Sequence, residues 1–245
     1  MKRFFNYLIL LILLSAFTTC ERTDMFDIGE DYNSIIGWFS AYEKVNLIST
    51  NYVDSWKDRQ GRNSFLYENT VLRPSFFPNA INSKYPTLRF NDAASERQLK
   101  NENLFLKPPL TIIMLTYNIG DGTLIANFSQ QNTSIYYAVS PNELRITSEN
   151  TEIAVPVSSL GGTAVTVLTF KFTEDSRMII FENKTKIYDA LTNQKVQFNG
   201  ISIAKSYNST NPLNGYISEL ILCNEAVSVD FIEKITDELL SRYGQ

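Results

Sequence analysis

The amino-acid sequence predicts an all-β protein, a sandwich or barrel of short strands, that ends in a single α-helix. Three observations lead to this prediction. From residue 110 onward, β-rich segments recur at a spacing of roughly 8 to 12 residues, and turn residues separate them. No segment of useful length with helical periodicity interrupts this series. Only the C-terminal segment carries an apolar stripe at helical spacing.

The N-terminus has the pattern of a secretory signal peptide. Two basic residues, Lys2 and Arg3, precede an apolar run over 4–14, and a short exit segment then leads to Cys20. The run is shorter than the roughly 20 apolar residues that a transmembrane helix needs. We therefore expect residues 1–19 to be a signal peptide and the protein to be exported.

A signal that ends at a cysteine resembles the signals of bacterial lipoproteins, in which that cysteine becomes the lipid-bearing first residue. The resemblance implies lipidation of Cys20, a tether over 20–31 and one domain over 32–245, held at a membrane surface of the bacterial cell envelope. Several acyl chains would anchor the protein stably. The alternative is an ordinary cleaved signal with an incidental cysteine.

The composition excludes several classes of function. With two cysteines, Cys20 and Cys223, the chain has no disulfide framework, and Cys223 is expected to behave as a small buried hydrophobe. The absence of histidine removes Ser-His-Asp and Cys-His catalysis and histidine-ligated zinc. A net charge of −4 with scattered lysines predicts no nucleic-acid partner, because such a partner requires a basic surface.

The first part of the predicted domain holds a strand and a tight turn. Residues 34–41 are rich in β-branched and aromatic side chains and predict a strand, whereas 42–51 is interpreted as a connection. The spacing of Trp56, Asp58 and Gly61 predicts a reversal of the backbone. Trp56 is expected to lie in the core rather than to form a ligand platform.

Strands dominate the remainder of the chain. A loop with two prolines, Pro74 and Pro78, leads to a half-buried strand over 85–90, where apolar and polar residues alternate. The pair Asn199-Gly200 is interpreted as a turn. The later predicted strands are 111–117, 124–128, 134–139, 143–147, 152–157, 164–172, 178–181, 185–188, 196–198 and 201–204.

The segment 214–228 is predicted to contain the strand that closes the domain. Gly215 turns the chain into this strand, and strict alternation places Tyr216 and Glu219 on opposite faces. Neither face is wholly polar, so we expect the strand to be covered on both sides. A buried carboxylate needs a partner, and Glu219 is therefore expected to be a hydrogen-bonded structural anchor.

One amphipathic helix is predicted to follow. Ser228 is a good N-cap, and Asp230 and Glu233 suit the positive end of a helix dipole. We expect the helix to pack back on the domain through one apolar stripe, which consists of Phe231, Ile232, Ile235, Leu239 and Leu240.

Four stretches form a recognisable series: Ile-Gly-Trp-Phe-Ser-Ala at 36–41, Trp-Lys-Asp-Arg-Gln-Gly at 56–61, Tyr-Pro-Thr-Leu-Arg-Phe at 85–90 and Leu-Asn-Gly-Tyr-Ile-Ser-Glu-Leu-Ile-Leu-Cys-Asn at 213–224. The last one is followed by Ala-Val-Ser at 226–228 and by the predicted helix, which runs to Tyr243-Gly244. In this order they resemble the concanavalin A-like lectin/glucanase superfamily, and specifically the laminin-G-like domains of bacterial secreted proteins. Lys184 and Ala204 stand where that family commonly has glycine. The resemblance implies an antiparallel two-sheet jelly-roll sandwich, in a family whose members bind glycans, adhere to proteins or cleave glycosides.

The acidic residues do not predict catalysis. Glycosidases place two carboxyl groups across one bond, and catalytic branches of the superfamily carry a Glu-x-Asp-x-x-Glu strand that this chain lacks. Asp121 offers oxygen atoms of the kind that calcium accepts, but a β-turn explains the same residues. We therefore expect no metal and no cofactor. Turns or the helix N-terminus explain the acidic pairs, which are Glu149 with Glu152, Glu174 with Asp175, and Asp230 with Glu233.

The sequence thus predicts a non-catalytic, surface-anchored, lectin-like module that binds a glycan or another extracellular ligand. Sites of this kind combine an aromatic face with a few polar side chains. Alternation allows only one of the pair Tyr136-Tyr137 to face outward. A protein-interaction or scaffold lipoprotein is the second hypothesis, and a glycoside hydrolase or lyase is the third. The candidate ligand-binding residues are Tyr117, Asn118, Asp121, Tyr136, Tyr207 and Asn208.

Overall fold

The computed structural model describes residues 30–67, 69, 72–90, 97–128, 133–149, 151–158, 160–194, 196–206 and 211–244. The predicted signal peptide, Cys20, and the candidates Tyr207 and Asn208 lie outside the described residues. Within them, the chain forms two antiparallel sheets that make a sandwich, followed by one α-helix. The predicted fold class is confirmed. The described part contains no helix with the length and apolar character needed to cross a membrane.

The strands follow a short 3-10 helix, Glu30–Ser34, and precede the helix α1, Val229–Tyr243. In chain order they are β1 (Ile35–Ser40), β2 (Val45–Leu47), β3 (Val53–Lys57), β4 (Ser64–Leu66), β5 (Ser75–Ile81), β6 (Tyr85–Phe90), β7 (Leu99–Leu106), β8 (Leu110–Tyr117), β9 (Gly122–Asn127), β10 (Ser134–Ala138), β11 (Glu143–Ser148), β12 (Thr151–Pro156), β13 (Val165–Phe172), β14 (Arg177–Glu182), β15 (Thr185–Leu191), β16 (Phe198–Ile203) and β17 (Gly215–Cys223).

The two sheets have different neighbours. Sheet A runs in the order β15-β14-β13-β8-β17-β6-β5, and β1 also pairs with β17. Sheet B runs in the order β12-β11-β10-β9-β16-β7-β4-β3-β2. The helix α1 packs on the face of sheet A that points away from sheet B, which is called the outer face of sheet A below.

The main core lies between the sheets. Large side chains from both sheets are completely buried there, including Trp56, Phe65, Phe90, Phe170 and Phe198. Burying one such side chain contributes about 1.5–3 kcal/mol relative to leaving it in water. Because each strand turns alternate residues toward this core, the remaining residues of sheet A form its outer face.

The helix begins and ends as its sequence predicts. The side-chain oxygen of Ser228 accepts a hydrogen bond from the backbone N–H of Phe231 at 3.1 Å, and Gly244 donates its N–H to the carbonyl of Leu240 at 2.8 Å. Asn82 donates its side-chain amide to the carbonyl of Tyr243 at 2.9 Å. The buried face of the helix comprises Phe231, Ile232, Ile235, Thr236, Leu239 and Tyr243.

Five strands lie where the sequence predicts none: β2, β3, β4, β5 and β7. The loop predicted around the two prolines contains β5, which is an edge strand of sheet A. Pro78 lies in it between Phe77 and Ile81, where the pairing with β6 shifts register. An edge strand tolerates proline because it can leave a backbone position without a ladder hydrogen bond. The prediction of a loop around these prolines is therefore wrong, because Pro78 lies within a strand.

The prediction of a turn at Asn199-Gly200 is wrong. Both residues lie inside β16, and its pairing with β7 shifts register between Asn199 and Ile201. Gly200 has a φ of 73°, and a Cβ there would lie 3.1 Å from Cβ of Phe128 and 3.2 Å from Cα of Glu102. The glycine accommodates a bulge in a continuous strand rather than a reversal.

The two departures from the superfamily pattern occur near unusual backbone positions. Asn183, which precedes Lys184 in the β14–β15 turn, has a φ of 55°, and Ala204 has a φ of 71°. Asparagine tolerates this left-handed conformation, whereas alanine adopts it at a cost. The alanine thus occupies a position whose backbone suits glycine.

Candidate functional site

The outer face of sheet A is divided into a covered and an uncovered part. On β8, Ile113 and Leu115 pack against the helix side of the sheet and are fully buried. The next residue on the same face, Tyr117, is half-buried and lies at the end of the strand. The helix therefore closes one end of this face and leaves the other end accessible.

Three aromatic residues line the accessible end. Tyr117 of β8 pairs with Tyr216 of β17, and their ring centroids are 5.7 Å apart. Phe77 of β5 meets Tyr216 edge to face, with centroids 6.0 Å apart and an angle of 86° between the rings. We call Tyr117, Tyr216 and Phe77 the aromatic row. Its members come from three strands, so it exists only in the folded sheet.

Arg89 joins the aromatic row from β6. It pairs with Tyr216 across the strands, and its guanidinium carbon lies 5.7 Å from the ring centroid of Phe77 and 5.8 Å from that of Tyr216. The neighbours Leu88 and Phe90 point into the main core, which directs Arg89 to the outer face. Distances of this size permit cation–π attraction.

A groove adjoins the aromatic row at the end of the helix. Its volume is about 320 Å³, which falls in the range of ordinary ligand pockets. Val165 of β13 lines the groove and pairs directly with Tyr117. Val165 therefore places the groove beside the aromatic row. The remaining lining residues are Asn82, Thr163, Ala164, Leu240, Tyr243 and Gly244.

A bulge in β17 directs Tyr216 to the outer face. The pairing of β17 with β8 shifts register between Ile217 and Glu219, so the extra residue shifts the alternation by one position. Tyr216 and Glu219 consequently share a face, and the expectation that they lie on opposite faces is wrong. Side-chain alternation alone could not reveal this, because a bulge adds a residue without changing the β-forming character of the segment.

Gly215 holds the adjoining loop close to the strand. A Cβ at this position would lie 2.6 Å from Cδ1 of Ile119, 3.0 Å from its Cα and 3.1 Å from the carbonyl oxygen of Asn118. These contacts leave no room for a side chain. The glycine thus sets the path of residues 118–119, which follow Tyr117 directly.

Glu219 forms the boundary between the covered and uncovered parts. Its side chain is fully buried. One carboxylate oxygen accepts a hydrogen bond from the indole N–H of Trp38 at 2.8 Å, and the other accepts from the hydroxyl of Ser40 at 2.7 Å and the hydroxyl of Tyr243 at 2.5 Å. The carboxylate therefore ties β1, β17 and the last turn of the helix together.

Electrostatics at Glu219 are dominated by its burial. Desolvation raises the pKa of Glu219 above its ordinary value, while the positive charge of Arg59 and the three hydrogen bonds act in the opposite direction. Burial and the adjacent carboxylate also raise the pKa of Tyr243. The guanidinium of Arg59 lies 3.9 Å from the ring centroid of Trp38.

The structure separates the predicted ligand-binding residues. Tyr117 lies in the aromatic row, and Asn118 follows it as an exposed residue with a φ of 46°. Asp121 instead accepts a hydrogen bond through its carboxylate from the backbone N–H of Val139 at 2.6 Å, beside sheet B. Tyr136 lies on sheet B as well. The described candidates thus belong to two different places.

Tyr136 occupies the outer face of sheet B. Tyr137, the next residue, is fully buried in the main core, so one member of the pair faces outward, as alternation predicts. Burial raises the pKa of Tyr136, and so does the negative charge of Asp121, whereas Arg145 lowers it. This tyrosine is therefore near Asp121 but on the opposite side of the sandwich from the aromatic row.

The predicted turn after Trp56 has a clear structural basis. Trp56 is fully buried in the core, and the carboxylate of Asp58 accepts backbone N–H bonds from Arg62 at 3.0 Å and Asn63 at 2.8 Å. Gly61 has a φ of 73°, a conformation that favours glycine. These residues hold the β3–β4 turn in place.

Sequence reasoning missed Tyr216, Arg89 and Phe77 as members of a site. Alternation in 85–90 does place Arg89 on the side opposite Leu88 and Phe90, which is a usable signal. What the sequence does not provide is the pairing of β6, β8 and β17, because these strands are far apart in the chain. Cross-strand partners become visible only with the register.

The acidic side chains of the described residues do not form a metal site. No group of three or more Cys, Asp or Glu side chains is arranged there so that it could hold a metal ion. Asp175 of the predicted acidic pair accepts a hydrogen bond from Thr173 within its own turn. This contact lowers the pKa of the Asp175 carboxyl group.

No protein-family model matches the chain, and neither does any curated protein. Solved structures do share its fold. The binding domain of Paraclostridial Mosquitocidal Protein 1 is similar with a TM-score of 0.62 and 13% identity; the match covers 85% of this chain and 53% of that domain. This chain therefore spans about half the length of that binding domain.

Two further structures illustrate the same likeness. Domain 4 of AbnA, a GH43 extracellular arabinanase from Geobacillus stearothermophilus, in complex with arabinotriose, is similar with a TM-score of 0.59 and 11% identity over 83% of this chain and 98% of the domain. The binding domain of botulinum neurotoxin DC in complex with SialylT gives a TM-score of 0.55 and 13% identity, over 84% and 51% respectively. At these identities the shared property is the fold.

Proposed function

We propose that the chain is a non-catalytic glycan-binding module whose ligand stacks on the aromatic row beside the groove. The aromatic row itself carries this proposal, because Tyr117, Tyr216 and Phe77 remain accessible on a sheet face that the helix otherwise closes. Aromatic faces contribute apolar contact, and tyrosine hydroxyls add hydrogen bonds. The neighbouring groove, about 320 Å³ in volume, provides a concave surface for a sugar unit.

The structural likenesses support a glycan over other small ligands. Domain 4 of the arabinanase was solved in complex with arabinotriose, and the likeness covers 98% of that domain. The neurotoxin binding domain was solved in complex with SialylT, but this chain spans only 51% of it. We therefore give more weight to the arabinanase domain, which corresponds to this chain as a whole.

We propose a non-catalytic role because of the position of Glu219. It is the carboxylate nearest to Tyr216 along the strand, yet it is fully buried and accepts three hydrogen bonds. A glycosidase needs a second carboxyl group at a defined distance across the scissile bond. Glu219 cannot reach an exposed sugar, and its hydrogen bonds hold the fold.

Export and anchoring belong to the proposal as well. The N-terminal sequence pattern supports a signal peptide over residues 1–19 and lipidation at Cys20. Two acyl chains or more would keep the domain at a membrane surface of the bacterial envelope. Mass spectrometry of the mature N-terminus tests this proposal: a lipid-modified Cys20 supports it, and an unmodified terminus at another residue contradicts it.

A glycan array with the full-length chain tests the binding proposal. We expect saturable binding to a subset of glycans that a soluble competitor sugar displaces and that Tyr117→Ala weakens. Binding to no glycan, together with a stoichiometric protein partner in envelope crosslinking, would favour the scaffold hypothesis. Release of reducing ends from a bound polysaccharide would instead show that the protein is an enzyme.

A further inference from the structure

Arg89 is held between aromatic rings without a carboxylate partner. Its guanidinium lies 5.7 Å from the ring centroid of Phe77 and 5.8 Å from that of Tyr216. Among the described residues, no Asp or Glu oxygen forms an ion pair with it. Neither ring offers an oxygen acceptor to the guanidinium, so its N–H donors remain available to a ligand.

Several other arginines among the described residues form ion pairs with carboxylates. Arg73 lies 2.7 Å from Asp54, Arg145 lies 2.7 Å from Glu143, and Arg177 lies 2.5 Å from Asp189. The chain also carries more acidic than basic residues, with a net charge of −4. An unpaired, half-buried arginine beside accessible rings is therefore a distinctive feature of this surface.

We propose that the ligand of the aromatic row is an acidic glycan and that Arg89 binds its carboxylate. This inference rests on the proposed glycan-binding function and names the class of glycan. A sugar ring that stacks on Tyr216 can direct a carboxylate toward the guanidinium at its side, because Tyr216 and Arg89 are cross-strand partners. Arginine binds planar carboxylates through two parallel N–H bonds.

The carboxylate could come from a uronic acid or from a sialic acid. Both present a planar carboxylate on a sugar ring, so the same contact with Arg89 recognises either. The two sources differ in the ring that would stack on the aromatic row. Direct comparison of matched ligands separates them.

Isothermal titration of the full-length chain with two matched ligand pairs tests the inference. One pair is an oligogalacturonate and the same oligosaccharide with its carboxyl groups reduced to alcohols; the other is sialyllactose and lactose. We expect one acidic ligand to bind about tenfold to hundredfold more tightly than its neutral partner, which is the range for a hydrogen bond to a charged group. The pair that shows the difference identifies the source of the carboxylate.

Variants distinguish Arg89 from general charge effects. Arg89→Gln should abolish the preference, so that the acidic ligand and its neutral partner bind the variant with equal affinity. Arg145→Gln removes the same charge from sheet B and should leave the preference intact. Equal affinity for acidic and neutral ligands, or an acidic preference that survives Arg89→Gln, would overturn the inference while the glycan-binding function stands. Failure to bind any glycan, in this titration and on the array, would overturn both.

Discussion

The covered and uncovered ends of the outer face of sheet A are built on the same strands and carry different chemistry. Under the helix, β8 and β17 present Ile113, Leu115 and Ile221, all completely buried. Beyond the last turn of the helix, the same two strands present Tyr117 and Tyr216, which are half-buried. Aliphatic side chains of these strands thus lie beneath the helix, and tyrosines lie beyond its C-terminal end.

This contrast shows how one sheet face can serve stability and recognition at once. The covered end contributes a second hydrophobic layer that the helix closes, while the uncovered end retains aromatic surface outside that layer. Glu219 and Tyr243 lie at the boundary and bind each other at 2.5 Å. The position of the helix end therefore determines which part of the face a ligand can reach.

The largest expected effect is on stability at the covered end. Ile221→Ala removes a fully buried side chain from the layer beneath the helix and should lower the free energy of unfolding by about 2–5 kcal/mol. Denaturant unfolding measures the change. Val229→Ala, at a position that is 44% exposed, is the matched control and should cost far less. Glycan affinity of the folded Ile221→Ala protein should be unchanged; a loss of affinity would break the distinction between the two ends.

Gly215→Ala should affect both ends, with a smaller effect on stability. The new Cβ would lie 2.6 Å from Cδ1 of Ile119 and 3.0 Å from its Cα, and strain of this kind typically costs about 1–3 kcal/mol. Movement of residues 118–119 should also weaken glycan binding, which titration of the folded variant measures. Gly162→Ala is the control, because its Cβ would approach only a backbone nitrogen at 4.0 Å. Equal behaviour of the two variants would contradict the close-approach argument.

Glu219 gives a pH dependence with a definite sign. Because burial raises its pKa in the folded state above the ordinary 4.5, its contribution to stability is complete below that value and is lost as the pH rises through the folded pKa. Wild type should therefore lose unfolding free energy relative to Glu219→Gln as the pH rises above 4.5. Denaturant titrations of both proteins across this range measure the difference. A constant or increasing advantage of wild type would exclude a raised pKa.

The smallest effect is expected at Cys223. Burial at the covered end raises the pKa of its thiol to about 12, so very little thiolate is present near neutral pH. Iodoacetamide should leave the Cys223 peptide unmodified in the native protein and alkylate it in denaturant, as mass spectrometry of the digest can determine. Rapid native alkylation would mean that the helix does not seal this end of the face.

Much of the fold could be predicted from the sequence, because local patterns carry it. The strand over 85–90, the turn at Asp58, and the helix with its Ser228 cap all follow from alternation, turn residues and capping. The strands β4 and β7 were missed for a physical reason. The first has three residues, and the second, Leu-Lys-Asn-Glu-Asn-Leu-Phe-Leu, is too polar in its middle to resemble a strand.

The candidate site could be predicted only in part. Tyr117 and Asn118 were identified because an aromatic and an amide follow a strong strand, and this information is local. Tyr136 fits the same local rule but lies on sheet B, so composition cannot rank one above the other. The bulge in β17 and the pairing of Tyr216 with Arg89 depend on register between distant strands. Non-local pairing is the information that a single sequence does not supply.

The most direct test compares the same substitution on the two outer faces of the sandwich. Tyr216→Ala removes the central ring of the aromatic row, and Tyr136→Ala removes a half-buried tyrosine from sheet B. Titration with a glycan that the wild type binds should show an affinity loss of about 30-fold for Tyr216→Ala, as for a typical aromatic hot spot of 2 kcal/mol, and little change for Tyr136→Ala. Loss of binding in Tyr136→Ala with full affinity in Tyr216→Ala would contradict the location of the site.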